Sequence, residues 1–124
     1  MKYSKNIEDY LEAIYVLSED KGFTRVKDIA KFLNVKLPSV TEILKKLQEG
    51  GLVEHSPYGE VKLTEKGIYL GKEVWDKHKI IYSFLKNFIN VKDEVAFKEA
   101  CLVEHSLSKE TIEKLKEFIK SLKK

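Results

Sequence analysis

Residues 24–63 decide the fold, and they read TRVKDIAKFLNVKLPSVTEILKKLQEGGLVEHSPYGEVKL. The apolar residues after Thr24 recur at helical spacing, so Thr24 is predicted to be the N-cap of a helix. Residues 34–36 form a short connection. Pro38 suits the first turn of the next helix, because its missing N–H has no partner in that turn anyway. The glycine pair at residues 50–51 ends that helix and completes a helix-turn-helix pattern.

Two predicted strands follow the helix-turn-helix in the sequence, and another predicted helix precedes it. Residues 52–55 and 60–63 are predicted to be short strands, joined through the turn-forming residues 57–59. Upstream, apolar residues recur at helical spacing over residues 6–18, and Asn6 is the predicted N-cap. Three helices followed by a two-stranded hairpin is the order of a winged helix-turn-helix. The short turn between its second and third helices favours DNA binding over a generic helical bundle.

Basic residues are concentrated in the helix-turn-helix. The net charge of +3 is too small to argue for nucleic acid by itself, so the distribution of charge matters more than its total. The basic residues between positions 24 and 46 are Arg25, Lys27, Lys31, Lys36, Lys45 and Lys46, against only Asp28 and Glu42. The alternative is that a Lys/Glu-rich surface, common in heat-adapted proteins, produced this block by chance.

The third helix is expected to enter the major groove of DNA with its N-terminal end. Ser39, Thr41 and Glu42 are then near base edges. Pro38 is placed in van der Waals contact with thymine methyl groups. Other side chains position the module on the phosphates without specifying sequence, with plain solvation as the alternative for each. The residues expected to grip phosphate are Arg25, Lys27, Lys36, Lys45 and Lys46.

Composition places the chain among ordinary globular proteins. Its 124 residues are 43% hydrophobic and 35% charged, enough to bury a core beneath a solvated surface. No apolar stretch approaches the roughly 18 residues of a membrane helix, and no signal peptide is evident. The single cysteine, Cys101, excludes an intrachain disulfide and suits a reducing compartment. We therefore expect a cytoplasmic protein without a membrane partner.

The second half of the chain is predicted to be helical. A long apolar pattern runs from Thr64 to Phe88, and two more helices are predicted over residues 93–105 and 108–122. The long pattern carries more large apolar residues than the small N-terminal module could cover, which indicates packing against other helices or a second subunit. The residues expected in a homodimer interface include Trp75, Ile81 and Phe84.

Three residues near the end of the chain form a candidate metal-binding group. Cys101, Glu104 and His105 stand at positions i, i+3 and i+4 of a predicted helix, so a thiolate, a carboxylate and an imidazole project from one face. This mixture suits iron(II), manganese(II), cobalt(II) or zinc(II) better than magnesium or calcium. The alternative is a core cysteine beside a solvated Glu-His pair.

Three further residues are candidate metal ligands because of their positions on predicted helices. Asp9 and Glu12 stand at i and i+3 on the face of the first helix opposite its apolar residues, where the alternative is an ordinary solvated face. His78 lies on the long helix, where a lone histidine is more often structural. No nucleophile motif, nucleotide-binding glycine loop or other catalytic signature is apparent, so the chain is predicted not to be an enzyme.

The chain resembles the iron- and manganese-dependent transcriptional repressors (DtxR/MntR type). The resemblance covers nearly the whole sequence. The matching segments are residues 9–15, 25–30, 38–41 followed by Leu47, 63–67, 77–79 and 99–108. It implies a winged DNA-binding domain followed by a metal-binding and dimerisation domain. The metal ligands that it implies are Asp9, Glu12, His78, Cys101, Glu104 and His105.

The resemblance does not decide which metal ion the protein binds. Glu12 matches a ligand of the manganese-sensing branch, whereas Cys101 stands where the iron-sensing branch carries cysteine. Fe(II) or Mn(II) is therefore expected, with Co(II), Ni(II) or Zn(II) able to substitute. Tyr82 and Phe97 occupy positions where the iron branch uses Glu and His for an ancillary site, so that site is not expected in the same form. The SH3-like domain of many relatives is also expected to be absent.

These observations predict a mainly α protein with a small β-hairpin. Residues 1–63 form a winged helix-turn-helix, and residues 64–124 form an all-α dimerisation and metal-binding domain. The expected partners are a double-stranded DNA operator with two half-sites and a second copy of the chain, with no small-molecule substrate. The predicted function is metal-dependent repression of iron or manganese homeostasis genes. The alternatives are a winged-helix regulator that is metal-independent or senses an organic ligand, a metalloenzyme, and a protein-interaction module that binds no DNA.

Overall fold

The computed structural model describes residues 3–122. No helix in this range is long and apolar enough to cross a membrane. The elements in chain order are α1 (Lys5–Leu17), β1 (Thr24–Arg25), α2 (Val26–Leu33), α3 (Leu37–Glu49), β2 (Val53–His55), β3 (Glu60–Leu63), α4 (Glu65–Ser83), a π-helical turn (Phe84–Phe88), α5 (Asp93–Val103) and α6 (Lys109–Leu122). The chain divides into two compact units, the first ending at Trp75 and the second beginning at Asp76.

The predicted hairpin is part of a three-stranded antiparallel sheet in the order β1-β3-β2. Val61 of β3 pairs with His55 on one side and Thr24 on the other. The prediction that Thr24 caps α2 is wrong, because its backbone pairs with β3 and the helix begins only after Arg25, which makes no side-chain capping bond. A hydroxyl residue before an apolar helical pattern suits a β-strand as well as an N-cap.

The first helix begins slightly earlier than predicted. Ser4 rather than Asn6 is its N-cap, and the Ser4 hydroxyl oxygen accepts a hydrogen bond from the Ile7 backbone N–H at 3.2 Å. Both residue types are good N-caps, so the sequence pattern alone could not separate them.

The helix-turn-helix is formed by α2 and α3 around a shared core. Asn34 ends α2 in the left-handed conformation, with φ of 56°, and Pro38 occupies the first turn of α3 as predicted. Val40, Leu44 and Leu47 point inward, each at most 1% exposed. The other residues of the same core are Tyr10, Leu11, Ile14, Ile29, Ala30, Leu52, Val53 and Val61. Burying one stripe of α3 leaves its opposite stripe at the surface.

Close packing against α1 places the beginning of α4 in the first unit. A Cβ atom at Gly71 would lie 2.8 Å from the Leu11 carbonyl oxygen and 3.0 Å from the Tyr15 Cβ atom. Only a glycine permits this approach, because a methyl group would overlap the backbone of α1. The first compact unit, which ends at Trp75, therefore includes the beginning of α4.

The second unit has its own small core. Ile81, Ala100 and Ile112 are buried together, and the partly buried residues packed against them are Tyr82, Leu85, Leu107 and Leu115. Ile81 is only 4% exposed, so its side chain is core within one chain rather than the interface residue that was expected. The long helical pattern changes to a π-helical turn after Ser83, and the Ile89 N–H donates to the Phe84 carbonyl oxygen at 3.2 Å.

Candidate metal centre and nucleic-acid interface

His78, Cys101 and Glu104 bring three different metal-binding groups together in the second unit. The His78 Nδ1 atom lies 2.8 Å from the Glu104 Oε1 atom and 3.5 Å from the Cys101 Sγ atom. One ligand atom from each of the three residues lies within 4.8 Å of those from the other two. His78 and Glu104 are each only 1% exposed, and Cys101 is partly buried. We call these three residues the His78 centre.

Helical geometry at the end of α5 aligns two members of the His78 centre. The helix ends at Val103, yet Glu104 keeps right-handed helical torsion angles and its N–H donates to the Ala100 carbonyl oxygen at 3.0 Å. Cys101 and Glu104 are therefore one helical turn apart on one face, as their i, i+3 spacing predicts. His78 comes from α4, so only folding brings the three groups together.

His105 lies directly beside this centre. Its Nε2 atom is 3.7 Å from the Glu104 Oε2 atom, whereas the His78 Nδ1 atom hydrogen-bonds with Glu104 Oε1. The His105 side chain is only 6% exposed. The alternative of a solvated Glu-His pair is wrong, because both side chains are buried.

The donor set fits a divalent transition metal. Nitrogen, sulfur and oxygen atoms that share one ion at about 2.0–2.3 Å stand about 3–4 Å apart, which is close to the separations in the His78 centre. Imidazole and thiolate are ligands for iron, cobalt, nickel or zinc, whereas calcium and magnesium prefer oxygen alone. Burial excludes water that would compete for the ion. The residues present therefore fit a transition metal.

Two aromatic rings pack on the His78 imidazole. The Phe97 ring meets it edge-on, with centroids 4.7 Å apart, and the Tyr82 ring is stacked at 6.0 Å. The Tyr82 hydroxyl donates to the Asp93 carboxylate, which also accepts a hydrogen bond from Lys86 at 2.9 Å. These hydrogen bonds lower the pKa of Asp93 below its ordinary value, and the bond from Tyr82 has the largest effect. The two rings restrict the orientation of the imidazole.

The supporting role of these aromatic residues was missed by sequence reasoning. Tyr82 follows His78 by four residues on α4, a spacing that places both on one helical face and could have indicated the contact. Phe97 comes from α5, and no local pattern predicts its contact with His78. Phe97 also offers no atom that can ligate a metal.

Asp9 and Glu12 lie on α1, in the first unit. Asp9 accepts a hydrogen bond from Lys5 at 3.0 Å. Glu12 is 7% exposed, which contradicts the alternative that it lies on an ordinary solvated face. That Asp9 and Glu12 join the His78 centre stays a prediction.

The predicted DNA-contacting residues of α3 share an exposed surface. The Thr41 hydroxyl donates to the Leu37 carbonyl oxygen at 3.2 Å, which leaves its oxygen able to accept a further hydrogen bond. The exposed residues of this surface are Lys36, Pro38, Ser39, Thr41, Glu42, Lys45 and Lys46, and Lys27 is exposed on α2. We call this set the α3 surface.

Arg25 is placed differently from the lysines. Its Nη1 atom donates to the Tyr58 carbonyl oxygen at 3.0 Å, and its Nη2 atom lies 3.9 Å from the Glu60 carboxylate. Its guanidinium therefore contacts the loop between β2 and β3, which is the wing.

Comparison with known families covers both halves of the chain. Residues 2–61 match the model described as iron dependent repressor, N-terminal DNA binding domain. Residues 64–124 match the model described as iron dependent repressor, metal binding and dimerisation domain. The order of the two matches agrees with the predicted order of functions.

Individual relatives are similar over most of their length. An uncharacterized HTH-type transcriptional regulator of Methanocaldococcus jannaschii is 44% identical over 97% of this chain and 97% of its own. The HTH-type transcriptional regulator MntR of Bacillus subtilis is 35% identical over 92% of this chain and 80% of its own.

Solved structures show the same fold. The T. acidophilum IdeR structure has a TM-score of 0.81 and 30% identity, and it matches 90% of this chain. The structure of the manganese regulator SloR has a TM-score of 0.82 and 36% identity, and it matches 95% of this chain. This chain spans about half the length of those solved chains, 53% and 55% respectively.

These similarities confirm the predicted fold class, with a winged DNA-binding domain before a helical domain. They also agree with the prediction that the protein is not an enzyme, since the matching family consists of transcriptional repressors. DNA, a divalent metal and a second copy of the chain are the partners that the two family models imply. The chain belongs to the iron-dependent repressor family and is a metal-dependent, DNA-binding transcriptional repressor.

Proposed function

We propose that this repressor senses Fe(II) or Mn(II) through a site whose core is the His78 centre. The observation that carries the proposal is the buried grouping of imidazole, thiolate and carboxylate ligand atoms within 4.8 Å of one another. His105 lies beside it and is the fourth ligand candidate from the second unit. Asp9 and Glu12 complete the proposed site from α1.

The donor types support iron and manganese for different reasons. The Cys101 thiolate favours iron, cobalt or zinc, whereas the carboxylates of Asp9, Glu12 and Glu104 also suit manganese. Among the relatives, MntR and the manganese regulator SloR support manganese by name, and the family models are named for iron. We expect Co(II), Ni(II) and Zn(II) to substitute in solution.

The site would couple metal binding to DNA binding. Asp9, Glu12 and Glu104 would repel one another if brought together without a cation, and binding to a divalent ion replaces that repulsion with coordination bonds. This would link α1, which shares the core of the DNA-binding domain, to the dimerisation domain. A coupling free energy of about 1–3 kcal/mol would change operator affinity by about 5- to 150-fold.

The α3 surface is the proposed DNA contact. Ser39, Thr41 and Glu42 read base edges, Pro38 contacts thymine methyl groups, and the lysines contact phosphate. The phosphate-binding residues are Lys27, Lys36, Lys45 and Lys46. A homodimer would place two copies of α3 on half-sites about 34–36 Å apart along the duplex. The proposed targets are genes of iron or manganese homeostasis, which a cytoplasmic regulator would reach on the chromosome.

The proposal is tested by adding metals back to chelated protein. An operator is first selected from random duplexes in the presence of Mn(II). Its Kd is then measured with chelator and after adding each first-row divalent metal, and metal stoichiometry is measured by calorimetry. We expect Fe(II) or Mn(II) to give the tightest operator binding, and sedimentation to show a dimer. Operator binding that is indifferent to chelator would instead indicate a winged-helix regulator that needs no metal or senses an organic ligand.

A further inference from the structure

We infer that Arg25 is a positioning residue that fixes the wing, and that the fixed wing presents Tyr58 to the sugar-phosphate backbone of DNA. This inference rests on the proposed DNA-binding function and extends its contact surface beyond α3. It also gives Arg25 a role other than the direct phosphate contact expected from sequence.

The Arg25 side chain contacts both the wing and the aromatic ring of Phe23. Its guanidinium donates to the Tyr58 carbonyl oxygen at 3.0 Å, 33 residues along the chain. The Arg25 Cζ atom lies 5.6 Å from the centroid of the Phe23 ring, within the range of a cation–π interaction. A planar group that donates a hydrogen bond in one direction and lies over an aromatic ring in another has a restricted orientation. The strand pairing of Arg25 with Glu60 anchors its backbone at the same place.

A glycine at the tip of the wing leaves space for the Arg25 side chain. Gly59 has φ of +91°, and a Cβ atom there would lie 3.3 Å from the Arg25 Nη1 atom. The Gly59 N–H donates to the Ser56 carbonyl oxygen at 3.0 Å. The Ser56 hydroxyl oxygen accepts hydrogen bonds from the backbone N–H groups of Tyr58 and Glu60, both at 3.2 Å. Local hydrogen bonds therefore form the turn, and Arg25 ties it to the body of the sheet.

Tyr58 is the side chain that this turn exposes. It is 87% exposed, the largest value among the large apolar and aromatic residues of the described range. A tyrosine ring can pack on deoxyribose while its hydroxyl donates to a phosphate oxygen, and both contacts are independent of base sequence. The tyrosine side chain has an apolar ring and a polar hydroxyl group. At this exposed position it is therefore suited to contact with the surface of a binding partner.

Charge compensation supports the backbone of DNA as the partner. Glu60 is the acidic group beside the tip, and the Arg25 Nη2 atom lies 3.9 Å from its carboxylate. This cation offsets a charge that would otherwise repel phosphate. Arg25 therefore helps the wing approach DNA even though its donors face the wing.

The test compares Arg25→Lys, Tyr58→Ala and the double variant with wild type. Arg25→Lys keeps the positive charge but loses the planar fork and the stacking surface. Lys27→Ala is the matched control for loss of a phosphate-contacting cation. Affinities for the operator and for a scrambled duplex are measured over a range of salt concentrations, and amide hydrogen exchange of Gly59 and Glu60 is measured in the free proteins.

We expect Arg25→Lys and Tyr58→Ala each to weaken binding to both duplexes by roughly tenfold, the loss of about one charge-assisted hydrogen bond. The double variant should be no weaker than either single variant, and exchange at Gly59 and Glu60 should be faster in Arg25→Lys. Wild-type affinity in Arg25→Lys, or losses that multiply in the double variant, would overturn the inference. Unchanged amide exchange at Gly59 and Glu60 would overturn the positioning role of Arg25 even if Arg25→Lys weakens DNA binding. If wild type binds neither duplex, the proposed function fails, and the Tyr58 contact fails with it.

Discussion

The His78 Nδ1 atom lies 2.8 Å from the Glu104 Oε1 atom, and both side chains are buried. A buried histidine–carboxylate pair contributes little net stability, because desolvation offsets most of the attraction between its members. The same contact holds two metal-binding atoms in nearly the positions that coordination requires. We therefore propose that the pair serves metal binding rather than stability.

Replacing Cys101 with serine should change the order of metal affinities. The hydroxyl oxygen is a poor replacement for a thiolate, which binds iron, cobalt and zinc more strongly than it binds manganese. We expect Cys101→Ser to lose most affinity for Co(II), Zn(II) and Fe(II) and least for Mn(II), as measured by calorimetric titration of each metal. An equal loss for all metals would contradict the thiolate's proposed part in metal selection.

Truncation of Phe97 should weaken metal binding without removing a ligand. Its ring packs edge-on against His78, so Phe97→Leu should loosen the imidazole. Groups that orient metal ligands typically contribute about 10- to 100-fold to affinity, and we expect a loss of about tenfold here because the contact is apolar. The control is Leu102→Ala, which alters an exposed apolar residue of the same helix. An equal effect of both variants would indicate a general loss of packing.

The lysines of the α3 surface should affect all DNA sequences alike. Lys45→Ala and Lys46→Ala should each reduce the slope of log affinity against log salt by about 0.9, because each variant neutralises one phosphate fewer than wild type. Thr41→Ala should instead alter sequence preference, because Thr41 is assigned to base edges. Lys114→Ala, an exposed lysine in the second unit, is the control. Lysine variants that alter affinity for one operator alone would reverse the assigned roles.

A methyl group at Gly71 should destabilise the fold. Because the added Cβ atom would lie 2.8 Å from the Leu11 carbonyl oxygen, α1 and α4 would have to move apart. We expect Gly71→Ala to lower the free energy of unfolding by about 1–3 kcal/mol, measured by urea denaturation. Gly50→Ala is the control, since its Cβ atom would make only ordinary contacts at 3.5 Å or more. Equal stability of the two variants would contradict the close packing of these helices.

Periodic patterns predicted most of the fold. The buried stripe of α3, Pro38 in its first turn and the wing strands follow from helical spacing, glycine and proline chemistry and strand alternation. Predictions from local patterns were wrong where a contact with an element distant in sequence determines the structure. Thr24 forms a β-strand because β3 lies beside it, and Ile81 is buried by α5 and α6 of its own unit.

The residues of the candidate metal centre could be predicted from the sequence only in part, for the same physical reason. Cys101 and Glu104 lie on one helical turn, so their spacing indicated a shared face. His78 lies 26 residues before Glu104, and only the family resemblance linked it to that pair. The contact of Phe97 with His78 depends on the packing of α5 against α4, which no sequence spacing encodes.

The central claim is that metal bound at the His78 centre controls operator binding, and Glu104→Ala tests it most directly. The measurement is operator Kd of wild type and variant with chelator and with saturating Mn(II) or Fe(II). Sedimentation and circular dichroism verify that the variant remains a folded dimer, and Glu104→Gln, which keeps the shape of the side chain, is measured in parallel. We predict that wild type binds at least about fivefold more tightly with metal, as expected for a coupling of about 1 kcal/mol, and that both variants bind only at the chelated level. A folded Glu104→Ala or Glu104→Gln dimer that keeps the full chelator-sensitive operator affinity would contradict the account.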